Sequence, residues 1–136
     1  DRDLASAQET VNMIKAEGGE ASAMQADATS EEDMAGLMNA VAQQYGRLDI
    51  AVNNAGIGGE AAPTGEYTVE GWRRVIDINL IGAFLCMHYQ IPRMLESGGG
   101  AIVNMASILG SVGFPGSSAY VAAKHGLLGL TKSAAL

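Results

Sequence analysis

Short apolar runs alternate with helix-length amphipathic stretches along this 136-residue chain. That alternation constrains the fold more than any other feature. A strand followed by a helix of 14 residues or more, then by another strand, gives a crossover connection and a parallel sheet. In such sheets ligands bind at the carboxyl ends of the strands.

The pattern runs as follows. Leu4, Ala7, Val11 and Ile14 form a helical stripe over residues 4–17, closed by Gly18-Gly19. Ala21–Gln25 reads as a short strand with Asp27 at its end. Ser30 reads as an N-cap, with Asp33 nearly completing a capping box and Glu31 and Glu32 in the first turn. Met34, Leu37, Met38, Val41 and Tyr45 continue that helix until Gly46. Leu48–Val52 and Ala101–Met105 are short apolar runs that suit buried parallel strands. Between them Thr68 caps a helix that continues to about Glu96, with a bend expected near Asn79. Ser107 to Ser117 is loop, and Ser118 to Leu136 is helical in pattern. Asp27, Asn53-Asn54 and Ser107 each follow a strand, so each falls at a ligand-binding end. One α/β domain over residues 1–136 is expected, without repeats or linkers.

Charge and composition exclude several classes. Apolar residues make up 48% of the chain, enough for a core and against disorder. A formal net charge of -7 disfavours phosphate backbones and anionic membranes, so neither a nucleic acid nor a membrane partner is expected. No run of 18 apolar residues suggests a membrane span. Asp1-Arg2-Asp3 is no signal sequence, and Cys86 alone can form no internal disulfide, which fits a reducing cytoplasm. His88, His125 and Cys86 lack metal-ligand spacing, so no metal is expected.

Four features carry chemistry. Tyr120 and Lys124, four residues apart, share one helix face, and an ammonium beside a phenol favours proton exchange at the hydroxyl. Ser107, thirteen residues earlier, could hydrogen-bond a substrate carbonyl oxygen. Asn53-Asn54-Ala55-Gly56 presents small residues past a strand, where a flat ligand can approach the backbone. Asn79 is a poor mid-helix residue whose presence there calls for a kink or a bound water. Each feature has an ordinary reading as well: a chance pair, a turn serine, a turn, and a satisfied core amide.

Taken together, Asn53-Asn54-Ala55-Gly56, Asn79, Ser107 and Tyr120-x-x-x-Lys124 resemble the short-chain dehydrogenase/reductase family, in that family's order and separations. The resemblance covers the whole chain. It implies a Rossmann-type doubly wound parallel sheet and a nicotinamide-dependent oxidoreductase acting on a secondary alcohol or ketone. Tyr120 is then the general acid or base. Lys124 holds the nicotinamide ribose and eases loss of the Tyr120 proton. Ser107 orients the substrate oxygen, and Asn79 holds a water that links Lys124 to solvent. Asp27 and Ala28 contact adenine, and Asn54, Ala55 and Gly56 line the adenosine side. Asp1 closes the second strand, where a carboxylate binds a ribose 2′-hydroxyl, so NAD is favoured over NADP; Arg2 offers the opposing reading.

The resemblance also implies missing parts. The glycine-rich pyrophosphate turn and the first two strands would precede Asp1, leaving a gap of about 14 Å between the strands near Asp27 and Leu48. The sixth strand and substrate lid would follow Leu136, so the sheet is expected to be incomplete and residues 1–136 poorly stable and inactive alone. The substrate stays open between a 3-oxoacyl thioester, a sugar and a cyclic alcohol, with Ile108 to Phe114 presenting a small apolar wall. A catalytically silent dinucleotide-binding module is the alternative of a different class. The apolar helices 72–96 and 118–136 suggest a homodimer or homotetramer of the full-length protein.

Overall fold

A computed structural model describes residues 1–136. Helix α1 (Leu4–Ala16) is capped by Asp3, whose carboxylate accepts from the Ser6 N–H. Helix α2 (Glu31–Tyr45) is capped by Ser30 and stopped by Gly46 in the left-handed region at φ 75°. Strands β1 (Ile50–Asn53) and β2 (Ala101–Asn104) pair in parallel, with Asn53 opposite Asn104. Between them run α3 (Val69–Ile76), a π-helical turn (Asp77–Ile81) and α4 (Gly82–Glu96), one continuous rod. A 3₁₀ turn (Ile108–Gly110) leads into α5 (Ser118–Ala134).

Helix α2 packs on α4, while α3 and the π turn pack on α5. Two small cores result. Ala26, Met34 and Leu85 form one. Val75, Ala119 and Ala123, all fully buried, form the other, edged by Trp72, Leu80 and Tyr120.

Four expectations change. The capping box at Ser30 is half made: Ser30 Oγ accepts from the Asp33 N–H, but the Asp33 carboxylate, one carbon shorter than a glutamate, accepts from the Asp27 N–H at 2.7 Å instead. Residues 21–25 are extended but join no sheet. Their only ladder is with Asp1, whose nitrogen donates to the Met24 carbonyl at 3.1 Å and whose carbonyl accepts from Ala26 at 2.9 Å. Asp1 thus lies beside residues 24–26 and hydrogen-bonds them as a neighbouring strand would. The strands are also barer than their apolar sequences suggest. Ala51 is buried, but Ile50, Val52 and Val103 are exposed by 68%, 58% and 48%. Alternate residues point to opposite faces, and α4 and α5 cover only the face of Ala51, Asn53, Ile102 and Asn104. Lastly, Val69–Glu96 is long and apolar enough by length and composition to cross a membrane. Its stripe of Val75, Asn79, Leu85, Met87, Gln90 and Met94 is buried in the core, as in a helix laid on a sheet.

Candidate functional site

The anomalous asparagine explains the bend in the long helix. Around Asn79 the helical hydrogen bonds lengthen to the π pattern over Asp77–Ile81, a form that concentrates at functional sites. The side chain is 1% exposed. Its Nδ2 donates to the Ile57 carbonyl at 2.8 Å and the Val75 carbonyl at 3.0 Å, and its Oδ1 accepts from the Ile57 N–H at 3.0 Å. Asn79 thus holds both backbone groups of Ile57, as a neighbouring strand would. The amide is thus a satisfied core side chain, the ordinary reading of an asparagine at this position. It also accounts for Gly56, where an added Cβ would lie 2.6 Å from Asn79 Oδ1.

Tyr120 and Lys124 lie on one face of α5. The Lys124 Nζ is 5.6 Å from the centroid of the Tyr120 ring and donates to the Met105 carbonyl at 2.6 Å. Lys124 is only 5% exposed, and burial holds its ammonium below the usual lysine range. Helix α5 can bring a lysine inside because its neighbours are small: Ala119 and Ala123 are fully buried, and Gly126 leaves room for Leu80.

Ser107 sits in extended backbone past β2, and its Oγ accepts from the Leu109 N–H at 3.1 Å, starting the 3₁₀ turn. The turn seats on α5 through Gly110, where a Cβ would meet the Lys124 carbonyl at 3.0 Å. The ordinary reading of Ser107 as a turn cap therefore holds together with its place beside the helix of Tyr120 and Lys124. Accepting one hydrogen bond leaves the hydroxyl hydrogen available to donate.

Asp1, Asp27, Ala28, Asn54, Ala55 and Gly56 lie around one hollow between residues 26–28 and the end of β1. Asn79 reaches it as well, while Tyr120 and Lys124 do not; their neighbours Met105 and Leu127 form its near wall. Asp27 is held below the usual carboxylate range by the Thr29 N–H and hydroxyl, and then by Arg2, whose Nε lies 3.3 Å away. Asp1 Oδ1 accepts from the Asp3 N–H. Cys86, also on the cavity wall, has its thiol pushed up by burial.

Sequence reasoning missed the backbone partners. Ile57 and Met105 act through main-chain groups, which leave no trace in residue type. It also missed Gln90, whose side chain pairs with Asn53; a polar residue within an apolar helix was the available signal.

A parallel α/β sheet with polar side chains gathered beyond its strand ends places the chain among ligand-binding α/β proteins. More specifically, the chain belongs to the short chain dehydrogenase family, whose model matches residues 1–136. It is 52% identical over 136 residues to the cyclohexanol dehydrogenase of Acinetobacter sp. (strain SE19), covering all of this chain and 54% of that enzyme. It is 44% identical over 130 residues to the cis-4-hydroxycyclohexanecarboxylate dehydrogenase of Sinomonas cyclohexanicum, covering 96% of this chain and 52% of that one. The structure matches NAD+-bound xylitol dehydrogenase with a TM-score of 0.96 at 33% identity, over 98% of this chain and 52% of that one. It matches a metagenomic short-chain oxidoreductase in complex with NADP with a TM-score of 0.92 at 32% identity, over 98% and 61% of the two chains. The fold is therefore the Rossmann-like fold of this family, seen here as a partial sheet. The chain spans about half the length of the curated relatives it matches.

Proposed function

We propose that this chain forms the catalytic part of an oxidoreductase that exchanges a hydride between a nicotinamide cofactor and a ring-bearing secondary alcohol. The observation that carries this reading is the junction of β2 and α5. Ser107 opens a turn seated on the helix that bears Tyr120 and Lys124, and Lys124 is tied to the same strand end through Met105.

Tyr120 exchanges a proton with the substrate oxygen. Ser107 donates its hydroxyl hydrogen to that oxygen and steadies charge on it. Lys124 places an ammonium one helical turn from the phenol and would hold the nicotinamide ribose. Asn79 acts through Ile57, fixing the backbone after Gly56 where a flat cofactor passes. The nicotinamide, when bound, supplies or accepts the hydride, and the protein contributes position, proton and field.

Asp1, Asp27, Ala28, Asn54, Ala55 and Gly56 lie around one hollow and would contact the adenosine half, with Ala28, Ala55 and Gly56 leaving the backbone open to a flat ring. NAD is favoured: Asp1 offers a carboxylate to a ribose 2′-hydroxyl, and the competing Arg2 is engaged by Asp27. The relatives named for cyclohexane-ring alcohols favour a cyclic substrate, as does the bare apolar wall of Ile108, Val112 and Phe114, exposed by 77%, 48% and 59%. A 3-oxoacyl thioester is the second reading, supported by 43% identity to a 3-oxoacyl-[acyl-carrier-protein] reductase of Staphylococcus aureus.

The test is turnover of the full-length enzyme with cyclohexanol and with a 3-oxoacyl thioester, alongside Tyr120→Phe. Wild type should oxidise cyclohexanol with NAD, and Tyr120→Phe should lose turnover by about 10²–10⁴-fold while still binding cofactor. Undiminished turnover by Tyr120→Phe would remove the phenol from the reaction.

A further inference from the structure

We propose that Asn104, acting with Thr131, is a positioning residue that sets the separation between the strand end carrying Ser107 and the helix carrying Tyr120 and Lys124. The proposal rests on the function given above.

Four side chains from four elements join in one chain of hydrogen bonds. Asn53 at the end of β1 and Gln90 on α4 form a reciprocal amide pair, at 3.2 and 2.8 Å. Asn53 Nδ2 also donates to Asn104 Oδ1 at 2.9 Å. Asn104 Nδ2 donates to Thr131 Oγ1 at 2.9 Å, and the Thr131 hydroxyl donates to the Leu127 carbonyl at 2.7 Å. The two asparagines are opposite each other in the parallel register.

A connected chain of partly buried hydrogen bonds fixes geometry, since each bond demands a distance and a direction. Its place decides what it fixes. Asn104 precedes Met105, whose carbonyl holds Lys124, and stands three residues before Ser107. Thr131 lies seven residues after Lys124, two turns along the same face of α5. The strand end is therefore tied to α5 twice, by Lys124 on Met105 and by Asn104 on Thr131. The first tie involves a side chain with another task. When Lys124 turns to a ribose hydroxyl, Asn104 and Thr131 keep the strand end on the helix.

Thr131→Val removes one hydroxyl with little change of shape and Thr131→Ser retains it, so the pair isolates the tie in the full-length enzyme. Thr131→Val should lower kcat about tenfold, by displacing Ser107 relative to α5 by a fraction of an ångström, with KM for cofactor within about twofold. Thr131→Ser should restore kcat to within about twofold of wild type. Asn104→Leu should lose more. Crystal structures give a reading that does not depend on turnover: in Thr131→Val the Ser107 Oγ to Lys124 Nζ separation should differ from wild type. A Thr131→Val enzyme with unchanged kcat, equal impairment of Thr131→Ser and Thr131→Val, or an unchanged Ser107–Lys124 separation overturns the proposal. An active wild type in that case leaves the oxidoreductase reading standing, whereas an inactive wild type strikes that reading and leaves the structural comparison to decide this one.

Discussion

The two halves of the site are built in different ways. On the proposed catalytic side α3, the π turn and α5 close around Val75, Ala119 and Ala123, and even an asparagine and a lysine are buried there. Around Asp1, Asp27 and residues 54–56, where we propose that adenosine binds, the surface is open, and residues 21–25 make no strand. The difference shows that helices and strands depend on their surroundings to different degrees. A helix satisfies its own backbone and needs only a surface for its apolar face. A strand owes its hydrogen bonds to a neighbour. Residues 24–26 have only Asp1 beside them, and the sheet faces of Ile50, Val52 and Val103 lie bare.

The contrast gives predictions in order of size. Lys124→Met in the full-length enzyme should lower turnover by at least about a hundredfold, seen in steady-state kinetics, while leaving the melting temperature unchanged or higher. Burial disfavours the Lys124 ammonium, which offsets the loss of its hydrogen bond to the Met105 carbonyl. Its folded pKa is depressed, so the native state holds fewer protons than the unfolded chain just below the ordinary lysine value of 10.5. Wild-type stability should therefore gain as pH rises toward 10.5, be fully present above it, and be lost as pH falls through the folded pKa. Lys124→Met should lack that part of the pH dependence, and equal slopes in chemical denaturation of the two proteins would contradict it.

Asn79→Leu should destabilise the catalytic side by about 1–3 kcal/mol for each Ile57 backbone group left buried without a partner, measured by urea denaturation. Gly56→Ala tests where the two halves meet. Its Cβ would press on Asn79 Oδ1, so a loss of about 1–3 kcal/mol is expected, together with weaker cofactor binding by titration. A neutral Gly56→Ala would show that the clamp yields. The smallest effect is on the adenosine side, where Ser30→Ala should lose about 1 kcal/mol as the α2 cap is removed.

The sequence by itself determined the helices, their caps and the position of the irregular turn. Ser30, Thr68 and Gly46 mark helix ends locally, and an asparagine inside an apolar helix marks a break in its ladder. It also determined which residues could do chemistry, since Tyr120 and Lys124 share a face by helical spacing alone. Tertiary structure decided what those residues touch. That Asn79 grips the Ile57 backbone, that Lys124 rests on the Met105 carbonyl, and that Asn53, Gln90, Asn104 and Thr131 join in one chain could not be read from residue types. Main-chain partners carry no side-chain signature, and hydrogen bonds between distant segments exist only once packing brings them within about 3 Å. Residues 21–25 are extended with Asp1 as their neighbour, and their sequence could not say which segment lies beside them, because a strand is a property of two segments and never of one.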